Sequence, residues 1–178
     1  MLSKFKPTWM IPTIYQISPS RLNKMGIKAV FTDLDNTLIP WNNTYGTNQL
    51  KSWISELDRY EIKLVIISNN SYKRVGKAVQ NFRVDYIARA YKPLPTGLNK
   101  ALKKYNLNSR QVIMIGDQLL TDVVASNNAG VRSVLVKPVL PSDAWNTKLN
   151  RFIEKKIWKK LFDKYNNLTW QEDIDERN

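Results

Sequence analysis

Three short apolar runs, Ala29 to Phe31, Leu64 to Ile67 and Val112 to Ile115, recur along the chain, and each ends abruptly in polar residues. Continuous runs rich in Val and Ile suit strands covered on both faces, as in a parallel sheet. The segments between them have helical spacing instead. From about Thr47 to Tyr60, Leu50, Trp53, Ile54 and Leu57 form a stripe at i, i+3, i+4 and i+7. Ser71 is placed to cap a second helix, and Pro95 stands at the start of a third that carries Leu98, Ala101 and Leu102 on one face. A fourth, from about Leu119 to Asn128, stops at Gly130, and Val131 to Val136 reads as a further strand. This alternation predicts an α/β, doubly wound (Rossmann-like), mostly parallel sheet of about five strands, with its site at the carboxyl ends of the strands.

A chain of 178 residues is expected to build one domain. Its parts read as an N-terminal arm over 1–25, a core over 26–138, a helix over about 143–166 and a tail over 167–178. The chain has no Cys and no His. Thiolate nucleophiles, disulfides and imidazole bases are thereby excluded, which leaves carboxylates, Lys, hydroxyls and a hard cation held by oxygen. A net charge of +13 implies anionic company: nucleic acid, an acidic membrane surface or a phosphorylated small molecule. No apolar stretch approaches the roughly 20 residues of a spanning helix, and Pro7 and Pro12 interrupt the apolar N-terminus, so a secretory signal is not expected. The expected location is the cytoplasm, with a peripheral place on the inner face of the cell membrane open to it.

The first apolar run leads into Asp33-Leu34-Asp35-Asn36-Thr37. Residues two apart on a strand share a side, so Asp33 and Asp35 face one crevice and need a compensating cation or proton. An isolated motif of this kind is equally well a solvated Asp-Asn turn. A calcium loop fails further along, where Leu38 replaces the required Gly and Thr44 the bidentate Glu. A nucleotide-sugar transferase would need a nucleotide-binding half upstream. Further polar groups follow in order: Ser68-Asn69 after the second run, Lys92-Pro93 before the third helix, and Gly116-Asp117 after the third run, with Asp122 five residues on. A receiver domain pairs similar residue types, but its acids are adjacent and its phospho-acceptor follows the third strand, so the order here disfavours it.

This constellation, over roughly Lys28 to Val136, resembles the haloacid dehalogenase superfamily. The resemblance implies that Asp33 is the nucleophile and Asp35 the acid and base. It implies that Ser68 and Lys92, with Thr37 and Asn69, bind the transferring phosphoryl group. Mg²⁺ would be held by Asp33, the Asp35 carbonyl and Asp117, while Asp122 would orient Lys92 or a metal-bound water. Phosphoryl transfer mainly needs positioning and charge neutralisation, and these residue types supply both. Taken singly, Ser68 could be a turn cap and Lys92 a surface charge.

The segments 38–46 and 70–91 are short for a folded cap domain, so an open site is expected, suited to a bulky substrate that covers it. From Trp145 to Tyr165, Leu149, Phe152, Ile153, Ile157, Leu161 and Phe162 recur near helical spacing among Lys148, Arg151, Lys155, Lys156, Lys159, Lys160 and Lys164. Such a basic amphipathic helix can lie on an anionic membrane or pack on the sheet. The arm, with Phe5, Trp9, Met10, Ile11, Ile14 and Tyr15, has the same two readings. The whole chain, including G-I-K-A-V-F-T-D-L-D-N-T-L-I-P-W and T-K-L-N-R-F, is similar to the small bacterial YqeG-like branch, subfamily IIIA. That branch is related to phosphatidylglycerophosphate phosphatases, which implies a lipid head group as substrate. A phosphatase of nucleic-acid ends and a non-catalytic membrane or nucleic-acid binder are the alternatives. The first lacks a reading module, and the second does not explain why both Asp33 and Asp35 are present.

Overall fold

A computed structural model describes residues 2–40, 47–82, 84–140 and 148–175. Six parallel strands form one sheet: β1 (Trp9–Ile11), β2 (Ala29–Thr32), β3 (Lys63–Ile67), β4 (Asp85–Ile87), β5 (Val112–Gly116) and β6 (Arg132–Val136), in the order β1-β6-β5-β2-β3-β4. From the central β2 the chain winds outward through β3 and β4, then crosses back to β5 on the other side. The junction between β2 and β5 is therefore the topological switch point, where the strand ends leave a crevice.

The apolar runs bury both faces. Val30, Leu64 and Ile66 enter one core with Leu50, Trp53 and Leu57 of α2 (Asn48–Arg59), while Phe31, Val65 and Ile67 enter the other with Leu98 and Ala101 of α4 (Thr96–Lys104). Alternate strand residues thus feed opposite layers. The helix starts follow their caps: the Ser18 hydroxyl accepts from Arg21 N–H at α1 (Pro19–Lys24), that of Thr47 accepts from Leu50 N–H, and that of Ser71 accepts from Arg74 N–H at α3 (Tyr72–Val79). Gly130, at φ 67°, ends α5 (Val124–Ala129) in the left-handed conformation. A π-helical turn over Leu119–Val123 precedes α5.

The sixth strand, β1, comes from the arm and pairs with β6. Trp9, Met10 and Ile11 are buried in it, so that part of the arm is sheet rather than loose cover. The C-terminal helix is α6 (Lys148–Lys164), and its expected start near Trp145 lies outside the described residues, as do positions 41–46 and 176–178 of the expected loop and tail. Leu161 is fully buried against Met10, Leu119 and Leu135, whereas Ile153 and Phe162 remain exposed. Packing thus takes part of the apolar stripe and leaves part of it outside. Between residues 70 and 91 only α3 and β4 are built, and no cap domain covers the strand ends among the described residues. No helix among the described residues is long and apolar enough to cross a membrane.

Candidate active site

The carboxyl ends of β2, β3 and β5 bring Asp33, Ser68 and Asp117 to the switch point. Asp33 N–H still donates to Ile115 C=O (2.9 Å), which keeps the β2 end level with β5. The loop beyond folds back through Asn36, whose left-handed φ of 62° suits Asn better than most residues. Carboxylate oxygens of Asp33, Asp117 and Asp122 lie within 4.8 Å of one another.

Lys92 projects into this cluster. Its Nζ lies 2.6 Å from Asp33 Oδ1 and 2.7 Å from Asp122 Oδ1, with 2% of the side chain exposed. Burial alone would lower the Lys92 pKa, but Asp122 and Asp33 together outweigh it and push the pKa up, so Lys92 stays an ammonium. Burial pushes the Asp33 carboxyl from 3.8 to about 7; Lys92 works against that shift, and the Asp122 and Asp35 charges reinforce it. Three carboxylates facing one ammonium leave negative charge in a nearly dry site. This all-oxygen, hard-donor set fits a divalent cation such as Mg²⁺.

Asp122 is held for its place. Its carboxylate also accepts from Gln118 N–H (3.1 Å), and the π-helical turn carries it back over Gly116, where a Cβ would run into the Asp122 carboxyl. Thr37 and Asn69, expected on the phosphoryl group, have other immediate partners. The Thr37 hydroxyl donates to Asp117 Oδ1 (3.3 Å). The Asn69 side chain clamps the Lys92 backbone, donating to its C=O (2.8 Å) and accepting from its N–H (2.7 Å). Ser68, 1% exposed, accepts from Asn70 N–H (3.1 Å) and keeps its own O–H to donate.

The Asp35 carboxylate is not among the three clustered groups. Oδ2 accepts from Asn70 Nδ2 (2.6 Å), and Oδ1 accepts from Arg74 Nη2 (2.5 Å). Sequence reasoning did not single out Asn70 or Arg74. A signal for Arg74 exists: it sits in the first turn of α3, where a cation opposes the helix dipole, so local structure alone does not account for it.

Residues 3–136 match the family of haloacid dehalogenase-like hydrolases. Over 173 residues, covering 97% of this chain and 100% of the relative, the sequence is 36% identical to the probable phosphatase YqeG of Bacillus subtilis (strain 168). Among solved structures, an uncharacterized protein from Listeria monocytogenes serotype 4b superposes with a TM-score of 0.54 at 17% identity, over 66% of this chain and 84% of that one. A putative subfamily III A hydrolase from Legionella pneumophila gives 0.50 at 18% identity, over 65% and 69%. These two likenesses concern the fold.

Proposed function

Because the chain belongs to the haloacid dehalogenase-like hydrolase family and is a phosphatase, we propose that it cleaves phosphomonoesters through a phospho-aspartate on Asp33. The observation that carries this reading is the Asp33 carboxylate held against the Lys92 ammonium at 2.6 Å beside Asp117 and Asp122. A carboxylate oxygen of Asp33 attacks phosphorus and the ester P–O bond breaks. Asp35 gives its proton to the departing oxygen, then takes one from water as that water attacks the phospho-aspartate, releasing inorganic phosphate and restoring Asp33.

Lys92 and the Ser68 hydroxyl bind phosphoryl oxygens. Asn69 acts by holding the Lys92 backbone and Thr37 by holding Asp117, while Asp122 aims the ammonium. Mg²⁺, held by Asp33, Asp117 and the Asp35 backbone carbonyl, would supply neutralisation of phosphate charge.

For the substrate, the reading is phosphatidylglycerophosphate, in line with subfamily IIIA. An uncapped site, a net charge of +13 and apolar side chains left exposed on a basic helix support it. The test is phosphate release from short-chain phosphatidylglycerophosphate, with Mg²⁺ and with chelator, for the wild type and Asp33→Asn. Release that needs Mg²⁺ and is lost in the variant is expected. Release from a generic phosphomonoester or an oligonucleotide 5′-phosphate, with none from the lipid, would overturn the substrate and keep the chemistry.

A further inference from the structure

Beside the carboxylate cluster lies a cavity of about 300 Å³ lined by Met10, Leu135, Val136, Pro138, Trp158, Phe162 and Trp170 together with Asp117 and Lys137. It is built where the β1 and β6 ends, α6 and the tail meet. Trp158 and Phe162 stack at 5.1 Å on one wall, and Lys137 Nζ stands 5.1 Å from the centre of the Trp170 ring on another. Leu161, one residue from Phe162, is fully buried, so the aromatic pair stands on a seated helix.

Two links join this cavity to the catalytic end of the sheet. Asp117 belongs both to its lining and to the cluster with Asp33 and Asp122. Val139, next to the lining residue Pro138, donates its N–H to Asn36 C=O (2.8 Å), so the strand β6 exit is tied to the loop that carries Asp35.

We propose that this aromatic groove is the subsite for the apolar part of the substrate, receiving the first segment of an acyl chain while the phosphoryl group lies at Asp33. The inference rests on the lipid reading above and assigns that lipid a place. An occupant must be anionic at one end, where Lys92 stands, and apolar further out, beyond the glycerol and phosphodiester that separate the terminal phosphate from the acyl chains, where Trp158, Phe162 and Trp170 face it. An amphiphile with a terminal phosphate meets both demands.

The experiment measures kcat and KM for phosphatidylglycerophosphate homologues with acyl chains of roughly four to eight carbons, kept monomeric, beside the headgroup phosphate without chains. Complete burial of a methylene is worth about fourfold in affinity, so an open groove is expected to lower KM by about twofold per carbon until it is full. In Phe162→Ser and Trp170→Ala that dependence flattens. In Ile153→Ser, which removes an exposed apolar side chain from the same helix outside the groove, it persists. Chain-length dependence equal in wild type and both groove variants would overturn the groove while leaving the lipid reading intact. Loss of the dependence in Ile153→Ser as well would point to general adsorption and overturn it too. Concentration-dependent dimerisation with no chain dependence would assign the groove to a second copy of the chain. No hydrolysis of any lipid homologue beside hydrolysis of a generic ester would remove the parent reading and the groove together.

Discussion

Asp33 and Asp35 stand two residues apart in one loop, yet the structure gives them opposite surroundings. The inner pole of the site is nearly dry: Asp33, Asp117 and Asp122 crowd the Lys92 ammonium, and burial drives the Asp33 carboxyl up to about 7. At the outer pole, Asp35 lies under the partly exposed guanidinium of Arg74 and the amide of Asn70. A pair of like side chains can take different work when environment rather than residue type separates them. Crowding charge at the inner pole suits a nucleophile and a cation. Two donors from separate residues fix where the Asp35 carboxylate points, which suits a group that must exchange a proton with substrate and water.

The inner pole breaks most severely. In Lys92→Met two buried carboxylates lose their shared ammonium, with an expected cost of about 3–5 kcal/mol in denaturant unfolding at pH 7.5 and loss of turnover. Added Mg²⁺ should restore part of the stability and none of the rate. An unfolding curve like that of the wild type would mean that Lys92 does not compensate the inner carboxylates, and the contrast between the poles would fall.

The inner pole is also the part most legible in the sequence, for a physical reason. Asp33, Ser68 and Asp117 each follow an apolar run, and parallel strands that begin in register deliver such residues to one edge. The outer pole depends on where the first turn of α3 points, which spacing does not encode beyond the Ser71 cap. β1 escaped because three residues between Pro7 and Pro12 show no period. The tail escaped for a related reason: Leu168 and Ile174 are single apolar residues in a polar stretch, yet both are buried, and Gln171 N–H donates to Met10 C=O (2.8 Å). The Trp9 indole also donates to Asp175 Oδ1 (2.7 Å). Contacts between chain ends carry no local sequence signature.

A milder effect is expected at the outer pole. Arg74→Ala leaves Asp35 with Asn70 and removes the ion pair, and a residue that orients a reacting group typically accounts for about 10- to 100-fold in rate. The loss should fall on kcat and alter the pH profile of kcat, with unfolding nearly unchanged because the Arg74 side chain is 36% exposed. Arg74→Lys should recover part of the rate, since one ammonium can reach one carboxylate oxygen without the guanidinium fork. An Arg74→Ala enzyme with wild-type kcat and an unaltered profile would remove Arg74 from the positioning of Asp35.

The smallest effect is a shift in thermal stability at the inner pole. Folding raises the Asp33 pKa from 3.8 to about 7, so the folded state holds that proton more tightly than the unfolded chain does. In chelator Asp33 should therefore contribute most to stability below about pH 4, lose that contribution as the pH rises through this window, and reach its full penalty above about pH 7. The chain has no His, so imidazole adds nothing between these limits. A cation competes with the proton for the same carboxylate, so Mg²⁺ should raise Tm by a few degrees at pH 8 and by less at pH 5. Asp33→Asn should flatten the chelator curve and shrink the Mg²⁺ response. A chelator Tm with the same slope from pH 5 to pH 8 in wild type and Asp33→Asn would mean that folding does not hold a proton on Asp33, and would remove the burial penalty from the inner pole.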